Sequence, residues 1–261
     1  MLIDTHCHLD AVEFAADRGA VVAAAQAAGV STIVIPAVEP ANFSAVRDCC
    51  QSYPGCYPAY GIHPLYIDRA KQNDLVSVRK ALAEELAGPC PPVAVGEIGL
   101  DYYVPGYDTE RQTIFFLEQL KLAQDFDLPV LLHVRRAVDQ VLMCLRRMPV
   151  RGGIAHAFNG SRQQADAFIR LGFRLGFGGA MTYPGSNRIR RLAAALPLES
   201  IVLETDAPDM SPSWLAGGRN EPKQLARIAA VLAELRGLPV EDIVLATSEN
   251  AKIALVRLEK Q

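Results

Sequence analysis

Eight short, nearly continuous apolar runs alternate with longer amphipathic stretches along this 261-residue chain. The runs lie at 2–8, 32–38, 57–62, 93–98, 129–134, 152–157, 173–178 and 200–206. Thr32-Ile33-Val34-Ile35 and Val130-Leu131-Leu132 typify them. They lack the apolar–polar alternation of half-exposed strands and read as parallel strands covered on both faces. Between them, apolar residues recur at three- and four-residue spacing, which predicts helices over 15–28, 42–52, 75–87, 109–126, 138–148, 162–171, 188–196, 222–236 and 240–258. Gly29, Gly88 and Gly172, and Pro129, Pro197 and Pro239, stand where helices should stop. Eight strand–helix units in about 250 residues is the count of a (β/α)8 TIM barrel. An open doubly wound sheet usually has fewer strands and a glycine-rich phosphate turn after the first, and that turn is absent. No repeat, low-complexity tract or composition shift marks a linker, so residues 1–261 are expected to form a single α/β domain.

Half of the residues are hydrophobic, enough for a sizeable core. A net charge of −3 excludes a global basic field, though not a nucleic acid held locally. No apolar run approaches the roughly 18 residues of a membrane helix, so no membrane partner is expected. Met1-Leu2-Ile3 runs straight into the first motif, so no removable signal is expected. The six cysteines show no Cys-x-x-Cys spacing and are expected as free thiols in a reducing cytoplasm. A monomer is expected, because no long apolar stripe is left over.

All five histidines fall in or at the ends of strand-like runs. His6 and His8 occupy the first, in Ile3-Asp4-Thr5-His6-Cys7-His8-Leu9-Asp10, two residues apart and therefore facing the same way. Glu97 ends the fourth run, His133 the fifth, His156 the sixth and Asp206 the eighth, while His63 follows the third. Barrel active sites occupy the carboxyl-terminal ends of the strands, so these side chains should converge on one mouth. Two inward imidazoles beside an acid suit a divalent cation better than a hydrogen-bonded barrel floor. A carboxylate at the end of a buried strand is costly unless it is paired or bound to metal. Glu97 is therefore read as a ligand that bridges if two cations bind, in preference to an ion pair with an arginine such as Arg135. His133 and His156 read as ligands of a second cation, and Asp206 as ligand, proton acceptor or both. Asp4 and Glu204 stand as acids that orient imidazoles or as structural acids, and Asp101 as a loop cap or supporting acid. His63 and Arg135 are candidates for substrate phosphate, with Arg136 beside them and Arg162, Arg188, Arg219 and Lys223 as weaker ones. Tyr102, Tyr103, Tyr107 and Tyr183 fall in loops at the same face, where a ring can stack on a base or merely cover the barrel. Neither the cysteines nor Ser161 has the partners that nucleophilic catalysis requires.

Taken with Gly61–Pro64, Val95–Asp101, Arg111-Gln112, Pro129–Arg135, His156–Ser161 and Leu203–Pro208, these motifs make the chain resemble the TatD family of metal-dependent hydrolases. The resemblance runs from residue 2 to about 256 in the family's order. It implies a barrel of the amidohydrolase type and deoxyribonuclease activity, often 3′-to-5′ exonuclease, on a DNA substrate. It implies two divalent cations (Mg, Mn or Zn), one held by His6, His8 and Asp206, the other by His133 and His156, with Glu97 bridging. It makes His63 a further active-site histidine. Many members carry serine where Ala207 stands and differ again near Asp209-Met210, so the strand-8 loop bears on substrate preference. The same metal chemistry would serve an amide or ester, such as an aminoacyl bond on tRNA. A metal-binding interaction protein with vestigial catalysis is a further alternative, against which the complete ligand set argues.

Overall fold

The computed structural model describes residues 1–258. Eight parallel strands are hydrogen-bonded in sequence order: β1 (Leu2–Asp4), β2 (Val30–Pro36), β3 (Cys56–Tyr60), β4 (Ala94–Asp101), β5 (Val130–Arg135), β6 (Gly153–Ala155), β7 (Phe173–Phe177) and β8 (Ile201–Leu203). The helices between and after them are α1 (Arg18–Ala27), α2 (Phe43–Ser52), α3 (Gln72–Glu85), α4 (Thr109–Asp125), α5 (Val138–Arg147), α6 (Arg162–Arg170), α7 (Asn187–Ala195), α8 (Leu225–Arg236) and α9 (Val240–Ala254). The sheet curls until its edges meet. Thr5 donates its backbone N–H to Leu203 O at 3.1 Å, and Asp206 donates to His6 O at 2.8 Å. The TIM barrel expected from the strand count is therefore the fold.

Apolar side chains fill two layers. One lies between strands and helices and includes Phe14, Phe115, Phe116, Phe168 and Phe173, all buried. The other collects Ile3, Val34, Ala59, Ala94, Leu131, Ile154 and Val202 from seven strands against Ala251, Ala254 and Leu255, so the end of α9 packs on the barrel interior. Burial on both sides is why the strands read as unbroken apolar runs.

Three boundaries differ from expectation in ways that matter. β1 ends at Asp4, so His6 and His8 lie beyond it. The chain nevertheless stays tied on both sides, with Cys7 N bonded to Val34 O at 3.0 Å and His8 N to Ala207 O at 2.8 Å. β4 runs on to Asp101, which places Glu97 inside the strand at a register shift between Val95 and Ile98. β8 stops at Leu203, three residues before Asp206. Among the described residues no helix is long and apolar enough to cross a membrane.

Candidate metal centre

Glu97 organises the mouth of the barrel. Its irregular stretch of β4 fits because its neighbours are glycines. A Cβ on Gly96 would stand 2.6 Å from the Leu131 Cβ, and one on Gly99 would stand 2.0 Å from the His133 carbonyl oxygen. Only glycine lets β4 and β5 approach so closely, and a glycine pair inside a strand is the sequence mark of such an irregularity.

The Glu97 carboxylate is 2% exposed and faces two sets of imidazoles, one with each oxygen. Oε2 lies 3.1 Å from His6 Nε2 and 3.6 Å from His8 Nε2. Oε1 lies 2.9 Å from His133 Nδ1, 3.3 Å from His156 Nε2 and 3.5 Å from His63 Nε2. Asp206 Oδ1 stands 3.7 Å from the Nε2 atoms of both His6 and His8. All five histidines and the two acids read as ligands, Glu97 and Asp206, thus meet at one place. Three overlapping sets could each seat an ion: His6–His8–Glu97, His6–His156–Asp206 and His63–Glu97–His133.

A second ring of acids holds the imidazoles. His133 Nε2 is 3.0 Å from Asp101 Oδ2, while Asp101 Oδ1 accepts from Tyr103 N at 2.8 Å and Val104 N at 3.3 Å. Asp101 therefore caps its loop and supports a candidate ligand at once. His156 Nδ1 lies 3.5 Å from Glu204 Oε1, and Ala157 N donates to that same oxygen at 2.5 Å. Carboxylates on the far nitrogens fix ring orientation and tautomer at metal sites. Asp4 touches no imidazole ring. It accepts from His6 N at 3.3 Å, Thr205 N at 2.9 Å and Thr205 Oγ1 at 2.6 Å, and so ties the end of β1 to the end of β8.

His63 differs from the other histidines. Its Nδ1 accepts a hydrogen bond from Leu65 N at 3.1 Å, so a neutral ring carries its proton on Nε2, the atom facing Glu97 and 3.0 Å from His133 Nδ1. That ring is a hydrogen-bond donor aimed into the site.

The electrostatics separate the histidines. Burial, reinforced by neighbouring His156, pushes His6 down to about 3. Burial likewise brings His63 down to about 4. Burial also opposes charge on His156, but Glu97 and Asp206 outweigh it and hold the ring well above the ordinary imidazole value. His133 is raised in the same way by its hydrogen bonds to Asp101 and Glu97, against burial. Burial lifts Asp206 to about 6. The surrounding histidines overcome burial at Glu97 and keep its carboxyl well below the usual range.

This donor set fits divalent cations. No lysine or arginine reaches Glu97 or Asp206 among the described residues, and His6 Nδ1 is buried without a hydrogen-bond partner. Imidazoles and carboxylates gathered at this spacing are nitrogen and oxygen ligands suited to zinc or manganese, and the carboxylates also to magnesium.

The weaker cationic candidates are engaged elsewhere. Arg162 pairs with Asp166, Arg219 with Asp17 and Glu221, Lys223 with Glu221, and Arg188 donates to Asn159. Arg135 pairs with no part of Glu97. It is half-exposed at the mouth, 3.9 Å from Asp101 Oδ2. Ser161 caps α6, and all six cysteines are free and buried.

A (β/α)8 barrel with this cluster of candidate ligands at its mouth is consistent with a metal-dependent hydrolase. The chain belongs to the TatD family: the family model described as TatD related DNase matches residues 3–255. The Escherichia coli metal-dependent hydrolase YjjV, itself uncharacterized, is 44% identical over 249 residues, which cover 95% of each chain. An uncharacterized metal-dependent hydrolase of Haemophilus influenzae is 38% identical over 257 residues, 95% of this chain and 97% of that one. The crystal structure of YjjV superposes with a TM-score of 0.93 at 42% identity, covering 98% of each chain.

Proposed function

We propose that this protein is a deoxyribonuclease that hydrolyses phosphodiester bonds at a two-cation site bridged by Glu97, with His6, His8 and Asp206 on one side and His133 and His156 on the other. The observation that carries the reading is the division of Glu97, one oxygen toward His6 and His8 and the other toward His133 and His156. The family description as a DNase supports DNA as substrate. Bound divalent cations would neutralise the phosphate oxygens and make water more acidic.

The remaining chemistry falls to the chain. Water adds to phosphorus and the bond to the leaving oxygen breaks, so one proton must be taken up and one delivered. Asp206, with one carboxylate oxygen beside His6 and His8, is placed to accept the proton of the attacking water. His63 Nε2–H is positioned to hydrogen-bond a phosphate oxygen or the leaving oxygen while keeping its proton, and the proton that Asp206 takes up is the one passed on to the leaving oxygen. Asp101 holds His133 by a hydrogen bond, and Glu204 stands 3.5 Å behind His156 as its charge partner. Arg135 stands at the rim to contact phosphate.

The test is metal-stripped protein reloaded with Mg²⁺, Mn²⁺ or Zn²⁺ and incubated with single-stranded DNA labelled at its 5′ end, beside an identically purified Asp206→Ala variant. Metal-dependent shortening by the wild type alone supports the reading and names the usable metal. If no metal gives shortening while ions bind, a carbonyl ester or amide such as aminoacyl-tRNA takes DNA's place.

A further inference from the structure

The loop after β4 and the end of β5 meet in a cationic lip that the hydrolytic site does not explain. The Arg135 guanidinium carbon lies 3.9 Å from the centre of the Tyr103 ring, and that of Arg136 lies 4.9 Å from it. All three side chains are exposed, and Arg135 Nη1 is 3.9 Å from Asp101 Oδ2, whose oxygen is already taken by His133 Nε2 at 3.0 Å. Arg136 has no acid partner among the described residues, whereas Arg69, Arg79, Arg151 and Arg162 all pair with carboxylates. Arg136 also holds a left-handed backbone (φ 54°), a conformation that favours glycine. Two guanidinium groups on one ring repel each other, and a phosphate between them would remove that repulsion.

The lip is built on the site itself. Asp101 grips His133 with one oxygen and the Tyr103 backbone N–H with the other, and Tyr102 N bonds to Arg135 O at 2.8 Å. The face of Tyr103 is occupied by guanidinium, so the ring serves as a platform for the arginines and not for a base.

Resting on the phosphodiesterase reading above, we infer that Arg135 and Arg136, stacked on Tyr103, form a subsite for the phosphate that adjoins the scissile one, which makes a polynucleotide the preferred substrate over a single phosphodiester. The experiment compares wild type, Arg136→Ala and Tyr103→Leu on oligothymidylate and on the one-phosphate dinucleotide dTpdT. Binding of fluorescent oligothymidylate to Ca²⁺-loaded protein is read alongside. In Arg136→Ala the ratio of kcat/KM for oligothymidylate to that for dTpdT should fall about tenfold, through KM, with oligonucleotide affinity falling equally. The slope of log affinity against log salt should shrink by about 0.7, the value of one phosphate contact on single-stranded DNA. Tyr103→Leu, which keeps both charges but not their platform, should give a smaller loss in the same direction. An unchanged ratio and affinity in Arg136→Ala would overturn the subsite. Wild type that binds the oligonucleotide with the predicted difference but cleaves neither substrate would keep the subsite and refute the phosphodiesterase reading.

Discussion

Gly176 has no chemistry of its own, yet the metal centre depends on its lack of a side chain. It lies in β7 opposite Val202, and a Cβ there would stand 2.1 Å from Glu204 Oε2, 2.5 Å from Cδ and 2.8 Å from Oε1. Gly176→Ala therefore requires the carboxylate to retreat by roughly 1.3 Å to reach ordinary contact. Glu204 is 1% exposed, so it has little room to retreat. Any such shift loosens its hold on Ala157 N and displaces the charge that faces His156 Nδ1. Overpacking of this kind costs about 1–3 kcal/mol of stability. Loss of the acid behind a ligand histidine weakens metal affinity about 10- to 100-fold. Chelator competition for Zn²⁺ or Mn²⁺, with thermal unfolding alongside, reads both effects. Glu204→Ala should weaken metal binding too, and adding Gly176→Ala to it should cost little more, because the clashing group is gone. Metal affinity in Gly176→Ala within twofold of wild type would refute the reasoning.

Further outcomes follow from the buried charges. His133 and His156 are both raised above the ordinary imidazole value by the surrounding acids, so a cation must compete with protons for them. Metal binding should release protons and weaken as pH falls, and a calorimetric enthalpy independent of buffer ionisation would contradict this. Glu97→Ala strips the His156 charge of its nearest buried acid. It should abolish metal-dependent turnover and destabilise the metal-free protein by about 3 kcal/mol in urea unfolding. Burial raises Asp4 from 3.8 to about 8, so the folded state holds a proton that the unfolded chain gives up above pH 4. That contribution is complete below the unfolded pKa and is lost as pH rises through the interval from about 4 to 8. Asp4→Asn, neutral at every pH, should flatten the stability profile over that interval, and a profile parallel to wild type would count against the assignment.

Most of the barrel was legible because β strands buried on both faces leave unbroken apolar runs, and because each ligand interrupts or follows such a run. Strand ends were less legible. The segment after Asp4 keeps extended hydrogen bonds to β2 and β8 without being regular strand, so His6 and His8 still converge as their spacing predicts. Glu97 was placed at a strand end although β4 continues to Asp101. The glycines around it allow a close approach, but the resulting register shift depends on contacts with Leu131 and His133 that lie more than thirty residues away. For the same reason the roles of Asp101 and Glu204 stayed open until their partners were in place. Tyr103, a candidate base platform from its position alone, proves to be covered by two arginines.

The central claim is that one carboxylate, Glu97, joins two cations. Manganese-loaded protein tests it directly by electron paramagnetic resonance with parallel metal counting. The account predicts two ions per chain and the multiline signal of a spin-coupled pair, lost in Glu97→Ala with no more than one ion retained. A single uncoupled ion in the wild type, or a coupled pair that survives the loss of Glu97, would contradict it.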